Sequence, residues 1–282
     1  MGLIEFLLAL FVTSVGAGVV GAVLGLGGGI LLVPILTVAF GVNLHYAMGA
    51  SIIAVIATSS GAAASYLRSG LTNLRLGLFL AMATVAGAVV GAALSGVAPA
   101  RALELTLGVA LAYSVVVTLR QLKVDVPALA ASDALALRFA LEGSYYDARL
   151  EREVTYRVAR VRSGLAVMFA AGLLSGLLGI GSGAFKVLAL DYFMRLPMKV
   201  STATSNFMIG ITASAGAAVY FGRGDIHPVI VTPVALGILL GAYLGTRLMG
   251  RLRNTTVRAL FLPVIVYLAL SMIVRGLGLR LP

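Results

Sequence analysis

Gly18-Val-Val-Gly-Ala-Val-Leu-Gly-Leu-Gly-Gly-Gly29 returns 154 positions later as Gly172-Leu-Leu-Ser-Gly-Leu-Leu-Gly-Ile-Gly-Ser-Gly183. The register then runs on without a gap. Ser51 falls on Ser205, Thr58 on Thr212, Ser60 on Ser214, Tyr66 on Tyr220, Gly70 on Gly224, Gly87 on Gly241 and Gly91 on Gly245. Both copies lie in apolar sequence. A duplicated apolar unit, interrupted at one place in each copy, is the pattern of two membrane halves built around a central site.

Composition points the same way. The 282 residues are 60% apolar and only 11% charged, and the mean hydropathy is +1.06. A soluble domain carries about 25% charged residues. In lipid, only helices and closed barrels satisfy their backbones. The apolar runs here are about 20 residues long, the length of a spanning helix, and they lack the 10-residue alternation of barrel strands. The 34 glycines suit close helix packing and helix breaks. With no cysteine in the chain, disulfides, thiolate metal sites and a cysteine nucleophile are excluded. Met1-Gly2-Leu3-Ile4-Glu5-Phe6 has no basic n-region, so no cleaved signal peptide is expected. The formal charge of +11 is dispersed between spans, which fits basic loops on the cytoplasmic side and does not suggest nucleic-acid binding.

The expected architecture is an all-α polytopic membrane protein. An N-terminal repeat, 1–122, has apolar segments near 3–41, 45–67, 74–98 and 103–120. A C-terminal repeat, 163–282, has segments near 164–194, 199–221, 228–249 and 257–275. Each repeat therefore holds four to five spans. The first segment of each is too long for one crossing: 32 helical residues reach about 48 Å, against a hydrocarbon core of about 30 Å. Gly25–Gly29 and Gly179–Gly183 are the expected break points, because glycine weakens a helix and permits unusual dihedrals. Between the repeats, 123–162 is rich in Asp, Glu and Arg. Leu135–Glu142 and Val154–Val161 alternate apolar and polar residues, which predicts a small two-stranded ribbon on the membrane surface; an amphipathic helix or irregular linker is the alternative.

Loop charge sets orientation. Arg120, Lys123, Arg157, Arg160 and Arg162 flank the central segment and place it in the cytoplasm, in a chain expected in the cytoplasmic membrane. If 164–194 crosses once, Arg195, Lys199, Arg251, Arg253 and Arg258 fall outside. If it crosses twice they fall inside, only Arg223, Arg275 and Arg280 fall outside, and the repeats are inverted. The second option agrees better with the charge rule.

The candidate site is built on the breaks. A helix restarting at Gly29 or Gly183 presents unsatisfied N–H groups and a partial positive charge, a ready place for an anion. Gly27, Gly28 and Gly29 would face Gly181, Ser182 and Gly183. Ser51 in one repeat, and Thr204, Ser205 and Asn206 in the other, could donate to an oxyanion. Thr58 and Thr212 rank lower, since a Ser or Thr in a helix more often bonds its own backbone. Lys186 is one of three lysines in the chain and lies three residues past Gly183 in an apolar run. A cation at membrane depth is functional by default and needs a partner; an anionic substrate is one candidate, Asp191 another, and snorkelling to an interface is the competing explanation. Its repeat equivalent is Leu32, so such a cradle is chemically asymmetric. There is no acid–base pair for an enzyme, no histidine-rich metal site and no phosphate loop for direct ATP drive, so no catalytic residue, metal or cofactor is expected.

Gly25-Leu-Gly-Gly-Gly-Ile-Leu-Leu-Val-Pro34, Gly179-Ile-Gly-Ser-Gly-Ala-Phe-Lys-Val187 and Leu196-Pro-Met-Lys-Val-Ser-Thr-Ala-Thr-Ser205 resemble the sulfite exporter TauE/SafE family of permeases. The resemblance covers essentially the whole chain. It implies export or uptake of small sulfur-containing or organic anions such as sulfite, sulfonates or sulfoacetate. Two departures stand out: Leu188 replaces a second copy of Pro34, and Ala50-Ser51 replaces a Thr-Ser pair. A secondary transporter of a small anion is the function expected. An anion channel of the same two-repeat architecture is the alternative. Proton or ion coupling and a homo-oligomer are both compatible with the sequence.

Overall fold

A computed structural model describes residues 2–24, 28–120, 133–147, 151–249 and 266–278. The elements keep the spacing of the repeat. Helix α1 (Leu3–Leu24) is followed by a short helix α2 (Gly29–Val38), then α3 (Leu44–Arg68), α4 (Leu74–Ser95) and α5 (Ala100–Arg120). After an insert, α7 (Val161–Leu178) is followed by a short α8 (Gly183–Leu188) and a π-helical turn (Ala189–Phe193), then α9 (Met198–Gly222) and α10 (Pro228–Met249). A last helix, α11, covers Val266–Gly276. Helices α3 and α9 are both 25 residues long and start 154 residues apart; α4 and α10, both 22 long, do the same. Among the described residues, five helices are long and apolar enough to cross a membrane, within α1, α3, α4, α7 and α10.

The over-long first segments are broken where the glycines stand. Gly28 (φ +67°) caps α2 and its counterpart Ser182 (φ +46°) caps α8, both in the left-handed region. For serine that conformation costs about 1–2 kcal/mol, so the surrounding packing enforces it. The second interruption differs between the halves. Helix α2 contains Pro34, which removes a backbone donor. In α8, Leu188 stands at that position and the helix widens instead into the π turn.

Packing across the halves follows the repeat as well. In α4 and α7, a Cβ on Gly87 would overlap the Phe169 carbonyl, and one on Gly91 the Leu173 carbonyl. Gly172 meets Thr84 in the same way, and Gly176 meets Ala88. In α1 and α10, Gly241 approaches Val15 and Gly18 approaches Ile238. These are the same contacts shifted by 154 with the halves exchanged. Absent side chains let the backbones touch, which is how helices associate where lipid supplies no hydrophobic drive. Both pairs run parallel, since contact positions rise together along the two helices. So do α4 and α9, where Gly77 lies against Thr204 and Thr84 bonds Thr212. Helices α3 and α9 run antiparallel: the Tyr220 hydroxyl is 3.9 Å from the Met48 sulfur, Ile52 lies against Gly216, and Ser59 against Gly210. Because α7 and α9 both run parallel to α4, the chain between them returns through α8 and the π turn.

The insert folds as a short helix α6 (Ala134–Arg138) and a two-stranded antiparallel ribbon, β1 (Gly143–Asp147) with β2 (Arg152–Tyr156), in which Gly143 faces Tyr156 and Asp147 faces Arg152. The ribbon expected from the sequence exists, but the boundaries move. Leu135–Glu142 is not a strand. Asp133 accepts from the Leu135 N–H at 2.9 Å and starts a helical turn. The apolar alternation there is not a buried face, since Leu137 is 61% exposed. The strand expected over Val154–Val161 ends at Tyr156, and Val161 opens α7. The other oxygen of Asp133 accepts from the Val161 N–H at 2.9 Å. These two backbone donors hold the Asp133 carboxyl below its ordinary pKa. Leu141, Tyr145, Tyr156 and Val158 bury against α4, α7 and α9 in one core cluster; α2, α3, α5 and α10 supply most of a second.

Two polar knots mark opposite ends of α3. Past its C-terminus, the Asn73 amide donates to the Leu141 carbonyl (2.7 Å) and the Tyr156 hydroxyl (3.0 Å), tying the α3–α4 turn to the insert. At its N-terminal end, Gly49 abuts Asp225. There Arg223 donates to Asp225 (2.8 Å), to the Ser95 hydroxyl (3.0 Å) and to the Ala92 carbonyl.

Candidate functional site

The two glycine breaks meet inside the bundle. A Cβ on Gly29 would sit 2.9 Å from the Ser51 hydroxyl and 3.5 Å from the Ile180 carbonyl of the other half. Gly181 (φ +77°) would carry its Cβ 2.6 Å from Val55 and 3.3 Å from Ile209, which is the repeat equivalent of Val55. One hydrogen bond occurs in both halves: Ser51 donates to the Gly29 carbonyl at 2.9 Å, and Ser205 to the Gly183 carbonyl at 3.4 Å. Each restarted helix is thereby stitched to the long helix that follows it. Ser182 is 2% exposed, and its hydroxyl has no hydrogen-bond partner among the described residues. A buried hydroxyl without a partner is a cost that a bound ligand could offset.

Lys186, one turn beyond Gly183, is fully buried. Its ammonium donates to the Thr212 hydroxyl on α9 at 2.9 Å. Thr212 in turn lies 2.9 Å from the Thr84 hydroxyl on α4 and 2.7 Å from the Met208 carbonyl. Lys186, Thr212 and Thr84 all have zero exposure. Among the described residues no carboxylate pairs with Lys186; the ion pair seen there is Arg223–Asp225, at the end of the bundle. Asp191, on the π turn, is not its partner. Full burial also separates Lys186 from a snorkelling side chain, whose charged head stays in water.

The residues singled out from the sequence do not all converge. Gly28, Gly29, Ser51, Gly181, Ser182, Gly183 and Ser205 gather at the crossing of the breaks, with Lys186 one turn away. Gly27 lies outside the described residues. Thr204 turns to the α3–α4 turn, where its hydroxyl accepts from the Asn73 N–H at 3.1 Å. The Asn206 amide donates to the Thr202 carbonyl on its own helix at 3.0 Å. Thr84 was not singled out from the sequence. Thr212 was ranked low because a helical threonine usually bonds its own backbone, which it also does here through Met208. No signal in the sequence separates it, since α9 also buries Ser201, Thr204 and Ser205 and only packing brings Thr212 to Lys186. No group of three or more His, Cys, Asp or Glu residues with metal-site geometry occurs among the described residues.

Comparison with known proteins shows the family. The family model described as "Sulfite exporter TauE/SafE" matches residues 10–272. Curated relatives include "Probable membrane transporter protein YunE" of Bacillus subtilis (strain 168), 25% identical over 95% of this chain and 97% of that protein. "Probable membrane transporter protein YdhB" of the same organism is 28% identical, over 87% of each chain. "Probable membrane transporter protein ORF9" of Sinorhizobium sp is 26% identical over 95% of this chain and 91% of its own length. No solved structure matches. With a broken-helix bundle of apolar spans and a family match over nearly its whole length, the chain is a multi-pass membrane transporter and belongs to the sulfite exporter TauE/SafE family.

Proposed function

We propose that this protein is a secondary transporter of a small sulfur-containing or organic anion, such as sulfite, a sulfonate or sulfoacetate, in the cytoplasmic membrane. The observation that carries the reading is Lys186: a fully buried cation whose partner is a hydroxyl and not a carboxylate. A buried charge needs a counter-charge, and an anionic substrate supplies it. Ser182, buried with a free hydroxyl at the break one turn earlier, supplies a second donor. The backbone ends at Gly181–Gly183 complete the polar side of the cradle. The family match supports sulfur-containing anions over others.

The transport units in this reading are the two repeats, 1–122 and 163–282, in inverted orientation, with the substrate between their broken segments near the midplane. The antiparallel packing of equivalent helices α3 and α9, beside the parallel pairs α1–α10 and α4–α7, supports a two-fold axis lying in the membrane plane. Such halves can rock against each other around a fixed site. The insert then lies in the cytoplasm beside the α3–α4 turn, and the α9–α10 turn faces outward.

The test is uptake into proteoliposomes offered sulfite, sulfoacetate or sulfate, with and without a pH gradient. Saturable uptake of at least one of these above protein-free vesicles is expected. Vesicles that take up none of them faster than the controls would contradict the reading.

A further inference from the structure

We infer that Thr212, braced by Thr84, is a positioning residue that fixes the Lys186 ammonium for an oxyanion, an inference that rests on the anion site proposed above. The bonds around Thr212 commit its one hydrogen. A hydroxyl has one hydrogen and two lone pairs. Its hydrogen is shared between the Met208 carbonyl at 2.7 Å and the Thr84 hydroxyl at 2.9 Å, and a lone pair accepts from Lys186 at 2.9 Å; Thr84 in turn donates to the Ala81 carbonyl at 3.1 Å. With its hydrogen held by protein acceptors, Thr212 has no donor left for an anion, so it acts on substrate only through Lys186.

The ammonium has three donors, and Thr212 takes one. Two N–H groups remain, in directions set by the first. Both are open to the oxygens of an oxyanion such as a sulfonate or sulfite. The partner's chemistry matters too. A carboxylate at position 212 would neutralise Lys186 and remove its need for substrate, whereas a hydroxyl orients the cation and leaves its charge uncompensated. Three helices meet here, because Lys186 is on α8, Thr212 on α9 and Thr84 on α4.

The repeat supplies an internal comparison. The equivalents of Lys186, Thr212 and Thr84 are Leu32, Thr58 and Ile238. Leu32 and Ile238 are fully buried, and the Thr58 hydroxyl bonds back to Ala54 and Val55 at 3.1 Å. At the equivalent positions an apolar pair, Leu32 and Ile238, thus stands where Lys186 and Thr84 stand here.

A double-mutant cycle on the full chain in proteoliposomes tests the inference, with labelled sulfoacetate and sulfite as probes. Thr212→Val keeps the shape and removes the hydroxyl; Thr212→Ser keeps the hydroxyl and is the control for folding. Thr212→Val is expected to raise KM about tenfold, and Thr212→Ser to stay within about twofold of the parent. Thr212→Val added to Lys186→Met should change nothing further, because its effect passes through the lysine. Additive losses in the double variant, or a Thr212→Ser protein as impaired as Thr212→Val, would overturn the positioning role while leaving Lys186 as an anion ligand. A Lys186→Met protein that transports like the parent would overturn the anion-site reading itself, and this inference with it.

Discussion

At the scale of single residues, the proposed site turns on Lys186. An isolated ammonium in the bundle is unfavourable unless something compensates it, and a threonine hydroxyl compensates only in part. A charge-assisted hydrogen bond to an anion contributes about 1.5–3 kcal/mol, or roughly ten- to a hundredfold in affinity. Lys186→Met should therefore weaken anion binding by about that factor while the protein stays folded. Lys186→Arg should recover only part, because the planar guanidinium fork is wider than an ammonium and does not fit the same brace. Binding of sulfoacetate to purified protein, followed by calorimetry, checks both. Parent-like affinity in Lys186→Met would leave the site to the helix ends and hydroxyls alone. The burial of this residue was legible in the sequence, because a lone lysine in an apolar run after a glycine break admits few explanations. Its partners were not. The repeat register aligns Thr212 with Thr58 but says nothing about which helix lies across from either, and Thr84 reaches Thr212 through packing between opposite halves.

At the scale of elements, the repeat fixed the long helices closely. Helices α3 and α9, and α4 and α10, keep one spacing from first residue to last, since each copy carries the same apolar runs and the same punctuation. The insert has no second copy to compare with, and there the reading was looser. Leu135, Leu137 and Phe139 alternate like a strand, yet Asp133 caps a helical turn over them. Helix contacts offer a direct check on the shared architecture. A Cβ at Gly87 collides with the Phe169 carbonyl, and its counterpart at Gly241 with the Val15 carbonyl. A side chain at either site must push two helix backbones apart, an overpacking cost of about 1–3 kcal/mol. Gly87→Leu and Gly241→Leu should both lower the thermal unfolding midpoint, by similar amounts. Gly61→Leu, where nothing lies within 4 Å of a new Cβ, should not. A large drop at only one of the paired glycines would argue that the two helix pairs are not equivalent.

At the scale of the whole molecule, the proposed two-fold axis would exchange the two halves, and different knots stand at opposite ends of α3. One is the Asn73 cluster under the insert; the other is the Arg223–Asp225 cluster at the α9–α10 turn. Inverted halves require these to face opposite sides of the membrane. The chain has no cysteine, so single introduced thiols report cleanly. An impermeant maleimide applied to intact cells should label His227→Cys and spare Tyr146→Cys until the cells are opened. Labelling of both from one side would contradict the orientation. The central claim, that the site carries an anion from one face to the other and does not merely conduct it, is tested most directly by counterflow. Proteoliposomes preloaded with unlabelled sulfoacetate are diluted into a trace of the labelled anion. The account predicts a transient accumulation of label above the equilibrium level, dependent on preloading and lost in Lys186→Met. Uptake that rises only to equilibrium whatever the vesicles contain, and equally in parent and Lys186→Met, would contradict it.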